Sequence, residues 1–246
     1  MNILVCISKA PDTTSKIAFT DNNTKFDENG VQFIVNPYDE WYALVRGIEL
    51  KEANGGSVST ITVAGADADP IIRKALAIGA DKAVRIDADP SDPMVVAEEI
   101  ANYAKDKGFD MILCGKETID YNGGVVGGMI AEFMGLPYIA LATKLDMEGG
   151  NAVIEHEVAG GIEVLSVNGA FVLGAAKGMA EQRIPNMRGI MAARTKPLEV
   201  VPASGAAART TVQSYQLPDA KGDCKYVDAE NPAELIKLLH EEAKVI

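Results

Sequence analysis

A glycine-rich turn beside a polar loop is the segment of this sequence best suited to bind an anion. Residues 112–137 read ILCGKETIDYNGGVVGGMIAEFMGLP: a strand-like run ends at Gly115, and a helix-like run opens after Gly124. Glycines ahead of a helix let backbone N–H groups approach a phosphate, and the helix dipole favours negative charge there. The same glycines would also allow close helix–sheet packing, so a phosphate site and a purely structural role both remain open.

Two further polar segments follow apolar runs. CISKAPDTT at 6–14 leaves the first predicted strand, where a doubly wound sheet has its nucleotide crevice. This loop lacks GxGxxG and GxxxxGK[ST], and no histidine is near, so a plain strand-to-loop junction is the favoured explanation. In IVNPYDEW at 34–41, Asn36-Pro37 breaks a strand and Asp39 can cap the next helix. These roles explain less well why Asn36 and Tyr38 occur together in this segment.

Basic and apolar residues gather in GMAEQRIPNMRGIMAARTKPLEVV at 178–201. Arginines on a solvated face and methionines in a core would account for each residue type separately. Together they also suit a docking surface, in which an apolar anchor is flanked by basic groups that steer acidic partners.

Composition excludes several classes of function. The chain has 246 residues, a net charge of −12, 48% apolar and 24% charged residues, so a nucleic-acid surface is not expected. No apolar run approaches the ~20 residues of a membrane span, and MNILVCI at the start is better explained as a buried strand than as a signal peptide. Three distant cysteines and two histidines predict no metal site and a reducing compartment, hence the cytoplasm.

Apolar strands alternate with helical patterns over the first part of the chain. The predicted strands are ILVCI at 3–7, VSTITVA at 58–64, AVRI at 83–86 and MILCG at 111–115. The predicted helices span about 39–53, 70–78, 92–107 and 124–134. This order predicts an α/β fold with a mostly parallel sheet, helices on both faces, and ligands beyond the carboxyl ends of the strands.

The pattern changes after Pro137. A Gly-Gly turn between alternating segments predicts a β-hairpin in TKLDMEGGNAVIEHEV, and two further strands are predicted at 162–167 and 170–175. Residues 195–230 lack periodicity and are interpreted as an extended arm. Asn231, Pro232 and Glu234 then predict a capped helix with an apolar leucine stripe. That helix could fold back on its own core or reach across a partner, and the sequence favours neither.

Together these segments resemble the beta subunit of electron transfer flavoproteins over nearly the whole chain. The resemblance rests on an ordered set: NPYDE at 36–40, ALAIGAD at 75–81, LCGKETID at 113–120 and MRGIMAARTKPLEVV at 187–201. Each piece alone is weak, but their order is specific. The resemblance implies a Rossmann-like, adenine-nucleotide-binding domain over residues 1–194. It also implies an arm, residues 195–246, that contacts an alpha subunit.

The resemblance also implies ligands. The family's sheet holds AMP, or a second FAD in electron-bifurcating members, while the alpha subunit carries the electron-transferring FAD. Carried over by position, the nucleotide contacts fall on Cys6 (through its backbone), Asn36, Pro37, Tyr38, Asp39, Ala64, Gly115, Lys116, Asp120, Asn122, Gly123, Gly124, Val125 and Val126. Thr13 and Tyr38 fall where the family approaches the alpha-subunit flavin.

The resemblance places a partner-recognition loop near 183–192, with Met187 at the position of a leucine anchor. Around it lie Arg183, Arg188, Ile190 and Met191. The phosphate loop departs from the family's DxDxxQ(V/T)G: Asn122 replaces the second acid and Val125 the glutamine. Trp41 looks like an insertion, and Val45 replaces a glutamate. A side-chain contact to ribose or phosphate is therefore absent, backbone donors remain, and both AMP and FAD stay open as ligands.

The function that follows from the resemblance is an electron shuttle without bond-rearranging catalysis of its own. With the alpha subunit it would take electrons from dehydrogenases, such as acyl-CoA dehydrogenases, and pass them to an acceptor. The alternative from another class is a stand-alone adenine-nucleotide-binding module of the universal-stress-protein type. An ATP pyrophosphatase is disfavoured because no SGGxDS-type loop follows the first strand.

Overall fold

The computed structural model describes residues 1–246 and is built on one sheet of nine strands, with two small two-stranded sheets. The strands are β1 (Asn2–Cys6), β2 (Lys9–Pro11), β3 (Phe19–Thr20), β4 (Lys25–Phe26), β5 (Phe33–Val35), β6 (Ser57–Val63), β7 (Lys82–Asp87), β8 (Met111–Gly115), β9 (Tyr138–Glu148), β10 (Asn151–Val158), β11 (Gly161–Val167), β12 (Phe171–Ala175) and β13 (Leu198–Pro202). The α-helices are α1 (Asp39–Asn54), α2 (Asp69–Ile78), α3 (Pro93–Ala104), α4 (Val126–Met134), α5 (Met187–Ala193) and α6 (Pro232–Leu238). A 3₁₀ turn (Ala66–Ala68) precedes α2, and a π turn (Leu239–Ala243) follows α6.

The large sheet is parallel over most of its width. Its strand order is β11-β10-β9-β12-β8-β1-β6-β7-β13, and every pair from β9 to β13 in that order is parallel. Apolar runs predicted these central strands because a strand covered on both faces buries every side chain. The α/β prediction is confirmed, and the order of strands places β1 at the centre of the seven parallel strands.

The predicted hairpin is also confirmed. β9 pairs antiparallel with β10 across a turn at Gly149 and Gly150, both with positive φ, and β10 pairs antiparallel with β11. These strands extend the parallel sheet at one edge.

Two apolar layers cover the two faces of the sheet. One contains Ile3 and Val5 of β1 together with Leu44 and Ile48 of α1. The other contains Leu4 of β1 and carries side chains of α3 and α4. The alternation along β1 reflects the period of two in an extended strand. No helix is long and apolar enough to cross a bilayer.

One prediction for the end of the chain is wrong, and another is confirmed in part. Residues 198–202, predicted to belong to the extended arm, form β13, which pairs with β7 at the sheet edge. β13 was not predicted from the sequence because it is short, half exposed and ends in proline. The predicted start of α6 is confirmed, with Asn231 as the N-cap residue and Pro232 in the first turn. The Asn231 side chain, however, accepts no N–H from the helix and donates to Glu234 at 3.4 Å instead. No residue of α6 is buried.

The chain after β13 is attached to α3 by two carboxylates. Glu99 accepts hydrogen bonds from the backbone N–H groups of residues 204, 205 and 206 at 2.8–3.1 Å. Asp92 accepts at Oδ1 from Met94 at the start of α3 and at Oδ2 from the N–H groups of Arg209 and Thr210. These hydrogen bonds lower the pKa of Asp92 to about 2. Residues 204–210, here called the strap, therefore run beside α3.

We expect Glu99→Ala to release the first part of the strap. Amide hydrogen exchange at residues 204–206 should accelerate by about tenfold or more, because a hydrogen bond to a charged acceptor is worth about 1.5–3 kcal/mol. Glu98→Ala is the matched control, since Glu98 does not contact these amides. Equal exchange in the two variants would contradict the anchoring role of Glu99.

Candidate functional site

A cavity of about 370 Å³ opens where the central strands end. Its floor comes from the carboxyl ends of β1, β6 and β8, the edge at which parallel sheets bind ligands. The predicted site residues that line the cavity are Cys6, Ala64, Gly115, Lys116, Asp120, Gly123, Gly124, Val125 and Val126. α3 adds an apolar wall through Val96 and Ile100.

The loop ahead of α4 presents free hydrogen-bond donors to this cavity. The backbone N–H groups of Gly123, Gly124 and Val125 donate to no acceptor within the chain. Gly124 has φ +63 and Asn122 has φ +49, so the loop turns through two left-handed residues just before the helix. Gly124 suits this conformation because it has no Cβ. Three free donors at a helix N-terminus form an anion-binding arrangement.

The second pair of glycines serves packing. A Cβ at Gly127 would lie 2.8 Å from the ring of Tyr138, and a Cβ at Gly128 would be in ordinary contact with that ring. A Cβ at Gly174 would lie 2.6 Å from the Tyr138 hydroxyl. The two explanations left open for the glycine-rich turn therefore apply to different glycines: Gly123 and Gly124 open the loop, whereas Gly127 admits an aromatic ring.

Asn36 joins the two loops that surround the site. Its side chain is fully buried, donates from Nδ2 to the Glu117 carbonyl at 3.2 Å and accepts at Oδ1 from the Ile119 N–H at 3.0 Å. The amide thereby fixes the loop after β8 against the start of α1. Asn36 does not line the cavity, so its place in the structure is that of a support for the loop.

The remaining residues around α1 also lie outside the cavity lining. Tyr38 has φ +64 and is 59% exposed, Thr13 is exposed in a turn, and Pro37 is half-buried. Asp39 is buried, and burial raises its pKa to about 6 despite the nearby Lys116. Asn122 lies on the loop without lining the cavity. The exposed pair Thr13 and Tyr38 is free to meet another molecule.

The charges around the cavity are mainly acidic. Lys116 is paired with Glu117 at 3.2 Å, and Lys9 forms ion pairs with Glu28 and Asp67. The two cationic side chains of the cavity lining are therefore already neutralised by carboxylates. An anion in this cavity would depend on backbone N–H groups and the dipole of α4 more than on lysines.

Two thiols lie at the cavity floor. Cys6 and Cys114 are buried at the ends of the paired strands β1 and β8. A hydrogen bond with the Cys114 thiol and burial raise the pKa of Cys6, which keeps it protonated at neutral pH. No three side chains of histidine, cysteine, aspartate or glutamate cluster as a metal site would require.

Sequence reasoning missed Glu40, which also lines the cavity. It is buried in the first turn of α1, where its Oε2 accepts hydrogen bonds from Ser8 N–H at 2.7 Å and Ser8 Oγ at 2.9 Å. An acid in the first turn of a helix is normally explained by the helix dipole, so its type alone gave no signal. Its position next to the Asn36-Pro37 break was the available clue.

Comparison with known proteins gives the family. The family model for the electron transfer flavoprotein domain matches residues 23–206. The electron transfer flavoprotein subunit beta of Bacillus subtilis is 36% identical over 261 residues, covering 100% of both chains. The subunit beta of Syntrophomonas wolfei is 34% identical over 90% of this chain and 87% of its own. This chain belongs to the electron transfer flavoprotein family. The stand-alone nucleotide-binding module is accordingly not retained.

The predicted recognition loop of this family member ends in an exposed helix. Met187 begins α5 and is 72% exposed, Met191 is exposed as well, and Asn186 caps the helix by accepting from the Gly189 N–H. Arg183 is tied to the body of the protein through two hydrogen bonds to Glu52 at 2.8 and 2.9 Å. Ile190 is partly exposed, and Arg188 is exposed without an ion pair. Methionine side chains, not Arg183, are thus available for contact.

We expect Gly115→Ala to destabilise the junction between β8 and α1. A Cβ there would lie 2.8 Å from the backbone nitrogen of Glu40 and 3.0 Å from Cβ of Asp39, atoms that cannot move without displacing the helix. The free energy of unfolding should fall by about 1–3 kcal/mol in chemical denaturation.

Gly161→Ala serves as the control for this change, since a Cβ at Gly161 would have no atom within 4 Å. Its stability should stay within about 0.5 kcal/mol of the original. Equal stability of the two variants would show that the Gly115 contact is relieved without cost.

Proposed function

We propose that this chain is the nucleotide-binding partner of an FAD-carrying alpha subunit, and that the pair carries electrons between dehydrogenases and an acceptor. The observation that carries the proposal is the set of free N–H donors of Gly123, Gly124 and Val125 at the α4 N-terminus, beside an apolar wall. Such a site takes an adenine mononucleotide: the donors bind its phosphate and the apolar wall contacts its base.

AMP fits the cavity better than FAD does. A cavity of about 370 Å³ lies at the low end of the range for ligand pockets, roughly 300–1,000 Å³. The acidic lining around Asp120 and Glu117 also disfavours a second phosphate. FAD in this subunit, as in bifurcating members of the family, is the second candidate, because the same loop donors would bind one phosphate of its pyrophosphate.

The chain contributes binding and position to this function. The flavin of the alpha subunit supplies the redox chemistry when bound. Thr13 and Tyr38, both exposed, are proposed to approach it. The nucleotide of this subunit stabilises the fold, because a ligand that binds only the folded state adds to its stability.

The partner contacts are proposed for two exposed segments. Residues 195–246, apart from β13 at the sheet edge, contact the alpha subunit, and the solvent-exposed α6 leaves its leucines free for that purpose. Met187, with Arg188, Ile190 and Met191 around it, contacts flavin dehydrogenases such as acyl-CoA dehydrogenases. Free cysteines throughout are compatible with the cytoplasm as the site of action.

Cofactor counting tests the proposal. The chain is co-expressed with its alpha subunit, the complex is purified and denatured, and released FAD and AMP are quantified by chromatography. We expect one FAD and one AMP per complex. Two FAD and no AMP would assign FAD to this subunit's cavity, and the absence of flavin from every preparation would refute the proposal.

Met187→Ala tests the dehydrogenase contact. Loss of an exposed anchor should lower the second-order rate of electron delivery from a partner dehydrogenase by about tenfold or more, while the bound flavin stays unchanged. Met187→Leu, which keeps an apolar side chain of similar size, should retain most of the rate. Unchanged rates for Met187→Ala with several dehydrogenases would remove Met187 from the interface.

A further inference from the structure

Glu40 carries a carboxyl group that is almost entirely buried, yet faces the cavity. Its side chain is held in the first turn of α1, and the residue is only 6% exposed. Both hydrogen bonds from Ser8 end on the same oxygen, Oε2. Gly115 provides the room, because a Cβ at that position would lie 2.9 Å from Glu40 Cγ. The carboxyl group is therefore fixed in place.

The second oxygen of Glu40 has no partner within the chain. Oε1 makes no hydrogen bond, and the side-chain atoms that are enclosed without a partner belong to Ser59, Thr60 and Thr62. Oε1 is not among them and Glu40 lines the cavity, so Oε1 is reached from the cavity. A buried polar atom of this kind requires a hydrogen-bond partner, which here has to come from a ligand or water.

The surroundings of this group favour its neutral form. Burial raises the pKa of Glu40 to about 8, the Ser8 hydrogen bonds oppose the shift, and Asp120 and Asp39 add to it. The Cys6 thiol is the other titratable neighbour on the strand side. Lys116 and Glu117 act on Asp39 and compensate each other as an ion pair. Because Oε2 already accepts two hydrogen bonds, the proton of the neutral acid belongs on Oε1.

We propose that Glu40 recognises the nucleoside part of the bound nucleotide by donating the Oε1 proton to a ring nitrogen of the base or to a ribose oxygen. This inference rests on the proposed nucleotide site. The phosphate belongs at the free N–H donors of residues 123–125, so the group that meets Glu40 is the base or the sugar. Glu40 would then select ligands that offer an acceptor at this point.

A pH dependence follows from this assignment. Binding requires the protonated acid, and a phosphate in the same cavity further disfavours its ionisation. Affinity should therefore be constant below neutral pH and fall as the pH rises through about 8. Glu40→Gln keeps the shape and two N–H donors but cannot ionise, so the variant should bind without that decline.

The test uses the complex with its alpha subunit, stripped of adenine nucleotide, and isothermal titration with AMP. Glu40→Ala should weaken AMP binding by about tenfold, the loss typical of one hydrogen bond to a buried group. Glu49→Gln on the same helix is the control, since Glu49 pairs with Arg46 away from the cavity and should leave the affinity unchanged.

Ligand analogues identify the acceptor. AMP is compared with its 1-deaza, 3-deaza and 7-deaza forms and with its 2′-deoxy and 3′-deoxy forms. The analogue that lacks the acceptor should lose about tenfold against the original protein and nothing further against Glu40→Ala. A deaza analogue that behaves this way assigns the base, and a deoxy analogue assigns the ribose. Equal losses for every analogue in both proteins would overturn the inference.

The outcomes separate this inference from the proposed function. If the original complex binds no adenine nucleotide, the proposed function fails and the inference fails with it. If AMP binds equally well to the original complex and to Glu40→Ala, only the role of Glu40 is refuted. If Glu40→Ala does not fold, Glu40→Gln provides the test. A pH profile of AMP affinity identical to that of the original complex would then overturn the inference.

Discussion

The buried amide of Asn36 is the interaction on which the site depends. Its two hydrogen bonds, one given and one accepted, satisfy a fully buried polar side chain by using the backbone of the loop after β8. Asn36 also lies three residues before α1 begins at Asp39. One side chain therefore sets the distance between the helix that carries Glu40 and the loop that carries the free donors. Without it, the two walls of the cavity would have no direct polar connection at this point.

The electrostatics of the cavity follow from that arrangement. The lysines at its edge form ion pairs with Glu117 and Asp67. Burial favours the neutral forms of the two carboxyl groups in the first turn of α1. An anion in the cavity would thus depend on the peptide groups before α4. Peptide donors carry no full charge and require the anion to fit their geometry, which favours one compact phosphate over a longer chain of phosphates.

The sequence predicted what depends on burial and periodicity, and missed what depends on tertiary contact. Central strands such as β1 and β8 were predicted because both faces are covered, and the hairpin at Gly149 because its turn chemistry is local. β13 was missed because an edge strand with exposed side chains has no distinct apolar signal. Glu40 was missed because its burial beside the cavity results from packing against strand ends, and no local sequence pattern predicts such a contact. The packing role of Gly127 could not be predicted either, because it depends on Tyr138, which belongs to β9.

The strap gives this fold an order of assembly. Residues 204–210 attach to Asp92 and Glu99 on the helix that walls the cavity, and the following chain reaches Phe19, whose ring stacks on Tyr215 at 4.9 Å. During synthesis the strands and helices of the cavity leave the ribosome well before this segment does. The carboxylates of Asp92 and Glu99 therefore have no strap amides to bind until residues 204–210 have been synthesised. Because no residue of the strap lines the cavity, its attachment covers these carboxylates and leaves the cavity lining unchanged.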